Sequence, residues 1–286
     1  MDNPIIGIFI TATIFSLMFA LGVNHSFRQV TYLLRQPGLM VRSLLSVLVM
    51  VPGIVVVLVW VFSLSPAVAT GLAVLAAAPG APIGYKRIEM AGGEMEYGVN
   101  LQLTLAMLAV VVTPLILAVF FSIFDLMIDR VAPLYVARQV AQVTFLPVIA
   151  GFLVRYFLPA LADRIGNPLR ILGNILLVIL LLLVVVVLAI APDLRMMLNL
   201  GWAATMAIVL MVALSLATGH FLGGPTQEKR AVLAITSIAR NFGLALFIAG
   251  LSDYGQEFVP TLVTYLVLGG VVSMPYMIWS KRQLKK

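Results

Sequence analysis

Residues 66–91, PAVATGLAVLAAAPGAPIGYKRIEMA, begin as the kind of apolar run that crosses a membrane and then interrupt it. The interruption is Ala78-Pro79-Gly80-Ala81-Pro82-Ile83-Gly84. Proline has no N–H to donate and its ring clashes with the preceding turn, while glycine accepts backbone conformations that other residues avoid. Two prolines and two glycines between positions 79 and 84 unwind a helix there. The break then has two readings. It is a loop that ends the third span, leaving residues 85–91 outside, or it is a discontinuous helix among neighbours. Irregular backbone at membrane depth is tolerated only inside protein or against a wet cavity.

The rest of the chain supplies the membrane context. Of 286 residues, 62% are hydrophobic and 10% charged, against roughly a quarter charged in a soluble domain. The apolar runs are about 20 residues long and continuous, as a spanning helix requires, whereas barrel strands are about 10 residues and alternate. The expected fold is an all-α membrane protein with nine transmembrane helices, near 5–23, 40–62, 66–91, 98–124, 134–157, 168–190, 197–222, 230–250 and 258–279. The short connections leave the chain, 1–286, as one transmembrane domain. The first span lacks the basic n-region of a cleavable signal peptide. Trp60 and Trp279 stand near span ends, as interface anchors do. Methionines such as Met196 and Met197 read as packing residues, and Thr11, Thr13 and Ser16 in the first span likewise.

Of the 18 Lys and Arg residues, 14 fall on one side of this arrangement, among them Arg28, Arg35, Arg42, Lys86, Arg87 and the tail from Lys281. Arg130, Arg138 and Arg195 fall on the other, and Arg240 lies inside the eighth span. Basic residues are retained on the cytoplasmic side during insertion, so the N-terminus is expected outside and the C-terminus in the cytoplasm of a plasma (inner) membrane. The net charge of +7 is thus a signal for topology and not for nucleic acid.

A second break has a polar signature: Thr236-Ser237-Ile238-Ala239-Arg240-Asn241-Phe242-Gly243. Ionisable residues at membrane depth face a partner or a cavity and mark pathways. Arg240 is either in a structural ion pair, with Glu89 or Asp125, or part of a site. The interrupted span is third in each set of four, spans 1–4 and 6–9, and the odd fifth span inverts the second set. Matching interruptions in two halves point to an inverted-repeat transporter with a central site. Repeat one covers about 5–124, the linking span 134–157, and repeat two about 168–279.

At these residues the sequence resembles the bile acid:sodium symporter family. Leu17-Met18-Phe19-Ala20-Leu21-Gly22 is similar to its glycine-containing first core helix, and Leu34-Arg35-Gln36-Pro37 to its lysine-containing loop before a proline. Pro79-Gly80-Ala81 resembles the family's Pro-Gly-Gly break, and Ala91-Gly92-Gly93-Glu94 its Ala-x-Gly-Asn turn. Thr113-Pro114-Leu115 resembles a Ser/Thr-Pro-Leu step, and Arg240-Asn241-x-Gly243-Leu244-Ala245 the Gln-Asn-x-Gly-Leu-Ala core of the second broken helix. The resemblance implies a core domain, a smaller panel domain, two discontinuous crossing helices, and sodium-driven transport of organic anions. It also implies where sodium ligands belong. The carboxylate falls at Thr236, the amide beside asparagine at Arg240, a Ser-Asn pair at Gly84 and Tyr85, and a serine and threonine at Gly98 and Gln102. The chain departs from the pattern at each of these positions. A hard cation wants several oxygen donors, while arginine offers five N–H donors, no acceptor and a permanent charge.

The expected function is therefore a secondary transporter of small organic anions by alternating access, not using the family's sodium sites. It is proton-coupled, an exchanger or a uniporter. The alternatives are a non-transporting membrane sensor or interaction subunit on the same fold, and a sodium-coupled symporter with rearranged ligands. The candidate substrate-binding residues are Gly80, Ala81, Gly84, Tyr85, Asn100, Gln102, Thr236, Ser237, Arg240 and Asn241. Glu89, Glu94 and Asp125 are candidates for proton coupling, with Glu96 beside them. Lys86 and Arg87 either add attraction for an anion or serve topology, and Asn174 is either site residue or interhelical glue. No metal or cofactor is expected. The expected partners are a small organic anion, the lipid bilayer and, in addition, a second copy in a homo-oligomer. With no cysteine and no HExxH, and with His25 and His220 near span ends, the sequence offers no enzyme site. Gly80 to Lys86 has the wrong spacing for a phosphate-binding loop.

Overall fold

The computed structural model describes residues 4–25, 31–81, 84–124, 126, 133–190 and 200–284. Every regular element among them is helical. In chain order these are α1 (Pro4–Val23), α2 (Pro37–Val61), α3 (Pro66–Ala77), α4 (Gly84–Met90) and α5 (Met95–Ile123). Then come α6 (Leu134–Phe157), α7 (Pro159–Ile190), α8 (Gly201–Leu222), α9 (Gln227–Ile238), α10 (Phe242–Gly250) and α11 (Gly255–Gln283). Six of these, α2, α5, α6, α7, α8 and α11, are long and apolar enough to cross a bilayer. The shortest, 22 residues, rises about 33 Å, against a hydrocarbon core of about 30 Å.

The outer surface confirms lipid as the solvent. Along α7, Ile171, Ile175, Val178, Ile179, Leu182 and Val186 are exposed. A face this apolar has no stable place in water. The chain is an integral, multi-pass membrane protein.

α1 lies against α6 and α7, while α3 packs on α5 and α11, α8 on α2, α9 and α11, and α10 on α11. α1 also contacts α10, and α5 contacts α6. The α1–α6 contact is a backbone-to-backbone approach at Gly22 and Gly151. A Cβ on Gly22 would stand 2.2 Å from the Val148 carbonyl oxygen, and one on Gly151 would stand 2.5 Å from that of Phe19. Membrane helices lack a hydrophobic drive to associate and gain from such close packing of small residues.

Three local features differ from the sequence reading. α7 begins at Pro159, not near Pro168, so the expected loop is helical. Pro168 leaves a carbonyl one turn back without its donor, but the segment is tied down elsewhere: Asn24 Nδ2 donates to the Gly166 carbonyl at 2.8 Å, and Arg155 pairs with Asp163. α2 contains a π-helical turn at Leu45–Met50, and α6 has another at Ala141–Phe145. Neither Leu-Ser-Val-Leu-Val-Met nor Ala-Gln-Val-Thr-Phe carries a glycine or proline to announce it.

Candidate functional site

The two breaks meet. α3 stops at Ala77 and α4 starts at Gly84, while α9 stops at Ile238 and α10 starts at Phe242. Pro79 and Arg240 form an isolated antiparallel bridge, and the Asn241 N–H donates to the Ala78 carbonyl at 2.9 Å. Helix ends leave backbone groups unpaired, and at membrane depth water does not serve them. Here each break serves the other. Gly80 takes φ +73°, a conformation that glycine adopts without strain. The Asn241 side chain caps α10, accepting from the Leu244 N–H at 3.1 Å. Tyr265 on α11 donates its hydroxyl to the Ile238 carbonyl at 2.9 Å, closing the end of α9.

Arg240 sits at this junction, 5% exposed. Its guanidinium donates to backbone carbonyls: Ser237 by a short bond, Ala76 at 3.4 Å and Val47 at 3.5 Å. Val47 lies in the π-helical turn of α2, whose neighbour Ser46 shares a 2.9 Å hydroxyl–hydroxyl hydrogen bond with Ser237. π turns displace one carbonyl from the regular ladder and recur at functional sites. The ion pair offered as the plain explanation of Arg240 is not formed with Glu89: among the described residues the one ion pair is Arg155–Asp163. Asp125 lies outside the described residues. The carbonyls orient the guanidinium but leave its charge uncompensated, and its Nε–H has no partner.

A cavity of about 90 Å³ opens beside it. Ala81, Gly84, Arg87, Arg240, Asn241 and Tyr265 supply its polar and backbone lining, and Leu17, Leu75, Leu177, Leu181, Phe242 and Leu266 much of the rest. A second chamber, about 520 Å³, shares Leu17 with it and is lined by other residues of α4. It is lined by Asn24, His25, Tyr85, Lys86, Glu89, Arg170 and Asn174 among others. Burial holds the His25 imidazole below its ordinary range, hence neutral near pH 7. Its Nδ1 lies 2.8 Å from the Leu21 carbonyl, and because a carbonyl can only accept, Nδ1 carries the proton.

Residues 11–198 match the sodium bile acid symporter family model. The chain belongs to this family. The match includes α1 through α7 and the first break, and ends before α9 and α10. No curated protein matches the chain significantly. The family is one of membrane transporters, which agrees with the apolar helices.

Against the family's pattern, the residues expected at sodium-ligand positions behave as follows. Gln102 of α5 inserts its amide into the first break: a Cβ on Gly80 would stand 3.0 Å from Gln102 Oε1, and one on Gly84 2.8 Å from Nε2. Thr236 is fully buried with its hydroxyl unpartnered. Gly98 packs against Ile88 and Val232. Tyr85 faces the larger chamber, so it does not share the Arg240 cavity. Asn100 is buried and donates back to the Glu96 carbonyl of its own helix at 2.7 Å.

The acidic candidates are apart from Arg240. Glu89 is exposed on the larger chamber. Glu94 accepts a short hydrogen bond from the Tyr32 hydroxyl. Partial burial, and after it the Glu94 bond, push the Tyr32 pKa up to about 12, so the phenol stays a donor to that carboxylate. Pro82 and Ile83 of the first break lie outside the described residues. Sequence reasoning left Arg87 undecided and did not reach Ser46, Val47 or Tyr265. Arg87 is next to Lys86, and such a pair carries the same signal whether it serves topology or a site. A lone tyrosine in an apolar span and a backbone carbonyl carry none.

Proposed function

We propose that this protein is a carrier of small organic anions that works by alternating access and does not use its family's sodium sites. One observation carries the reading: a buried guanidinium, Arg240, is held by the Val47, Ala76 and Ser237 carbonyls at the junction of the two breaks, with no carboxylate beside it among the described residues. Backbone carbonyls released by broken membrane helices are what coordinate a free cation in such carriers. Here a tethered cation takes them. A sodium ion 4 Å from it would be repelled by roughly 4 kcal/mol at an effective dielectric of about 20. The Gln102 amide fills space between Gly80 and Gly84 in the same way. The guanidinium then supplies permanently the positive charge that a co-transported ion supplies transiently, and an anionic substrate completes the site through a charge-assisted fork.

The architecture proposed for this cycle counts each broken pair, α3 with α4 and α9 with α10, as one crossing. With α1 and the six long helices that gives nine spans, spans 1–4 and 6–9 forming the inverted repeat within one transmembrane domain. α1, α6 and α7 act as the panel and the remaining helices as the core. The basic residues orient the N-terminus outward and the C-terminus to the cytoplasm of a plasma (inner) membrane. Protons, where they couple, move through Glu89 or Glu94. The site residues are Arg240, Asn241, Ala81 and Gly84, with Gly80, Gln102, Thr236 and Ser237 shaping the junction. No enzymatic step is proposed.

The test is uptake of a labelled organic anion into proteoliposomes. Replacing sodium with choline leaves uptake unchanged. An imposed pH gradient changes it if protons couple. Uptake abolished by choline replacement contradicts the proposal, and saturable binding without flux makes the protein a sensor on the same fold.

A further inference from the structure

Arg240 is not the only guanidinium on its cavity. Arg87, from α4, lines the same 90 Å³ space. The two residues come from the two different broken helices, and Tyr265 of α11 lines the same space. The tyrosine hydroxyl already donates to Ile238, so it offers only lone pairs to the arginines and cannot itself donate to a bound anion. Arg87 lies along α11 beside Gly270: a Cβ there would stand 3.5 Å from Arg87 Nη2. It has no ion-pair partner among the described residues.

No carboxylate is among the residues that line this cavity. Two cationic residues therefore line one small space whose other side chains include five leucines, an isoleucine and a phenylalanine. A monoanion leaves one of them unanswered in a poorly solvated setting, where an unpaired charge is costly. A ligand with an anionic group at each end and a short apolar middle answers both and meets the leucines between. The volume sets its length. About 15 Å³ or somewhat less per water-sized group gives room for roughly six to nine non-hydrogen atoms.

We propose that the cavity selects a small dianion, of the class of a four- or five-carbon dicarboxylate or a disulfonate of similar length, with Arg240 and Arg87 each holding one end. This rests on the anion-carrier reading above and adds the substrate class to it.

The test is calorimetric binding to the purified full-length protein in detergent, with butanedioate against butanoate at neutral pH. A second pair, methanedisulfonate against methanesulfonate, carries charges that do not titrate. Hydrogen bonds to charged groups contribute about 1.5–3 kcal/mol, so the dianion of each pair should bind about tenfold to a hundredfold more tightly. Arg87→Gln should bring the ratio near one, and Arg87→Lys should restore part of it. Arg282→Gln, an exposed site on the end of α11, should leave the ratio as it is. If Arg87→Gln does not yield folded protein, the disulfonate pair on the parent decides alone. Equal affinity for mono- and dianion, or a ratio lowered equally by Arg282→Gln, overturns the dianion inference and leaves the carrier reading standing. Binding of neither class overturns both.

Discussion

The backbone of Pro79 lies opposite that of Arg240 in an isolated antiparallel bridge, and the bond across it runs from the Asn241 N–H to the Ala78 carbonyl, so the break of one helix is tied to the break of the other. Movement of either break is thereby felt at the guanidinium. An anion drawn to Arg240 and Arg87 would pull on both interrupted helices at once, and a carrier needs this kind of coupling between binding and rearrangement.

The Ser46–Ser237 bond anchors the π-helical turn of α2 to the end of α9. Ser46→Ala leaves a buried hydroxyl without its partner. Interhelical hydrogen bonds in membranes are worth about 0.6–2 kcal/mol, and a loss of this size is expected in stability. The double variant with Ser237→Ala should lose less than the sum of the single losses, because the two share one interaction. Strict additivity in unfolding midpoints would show that the bond does not hold the turn.

The α1–α6 seam tolerates no side chain at its centre. Gly22→Ala would place a methyl 2.2 Å from the Val148 carbonyl, so the helices must separate. Overpacking typically costs about 1–3 kcal/mol, and lost backbone contact adds to it. A thermal midpoint equal to the parent's would mean that α1 and α6 do not pack this closely. Gly7→Ala, at a position with open space around it, is the matched control.

Tyr32 and Glu94 predict an alkaline signature. Because the phenol's pKa is raised from 10.0 to about 12 in the folded protein, its contribution to stability is fully present below pH 10. It is lost as pH rises from 10 through 12. Tyr32→Phe should be flatter than the parent across that window in a stability–pH series. An identical slope in both proteins would mean that the phenol is not held by the carboxylate.

Much of this arrangement was legible because it rests on residues with few alternatives. Pro79, Gly80 and Gly84 disrupt a helix in almost any setting, and an arginine beside an asparagine in the eighth apolar span has to be accounted for. What was not legible depends on tertiary placement. Arg87 becomes a cavity residue because α4 packs against α11, whose Tyr265, Leu266 and Gly269, far away in sequence, line the same space. Val47 matters through its carbonyl, which every residue possesses. The segment from Pro159 to Pro168 is polar enough to read as loop, yet Asn24 and Arg155 hold it against α1 and α6 as helix. Glu94 reads as a free acid in sequence and is engaged by Tyr32, which lies 62 positions earlier.

The central claim is that a tethered guanidinium has taken the place of sodium, and it can be tested without knowing the substrate. A ligand that binds only the folded protein stabilises it in proportion to the logarithm of its concentration. The thermal midpoint of the purified protein should be measured in sodium chloride and in choline chloride over the same range of ionic strength. The structure predicts superimposable curves for the parent. A saturable stabilisation by sodium that choline does not reproduce would contradict the claim.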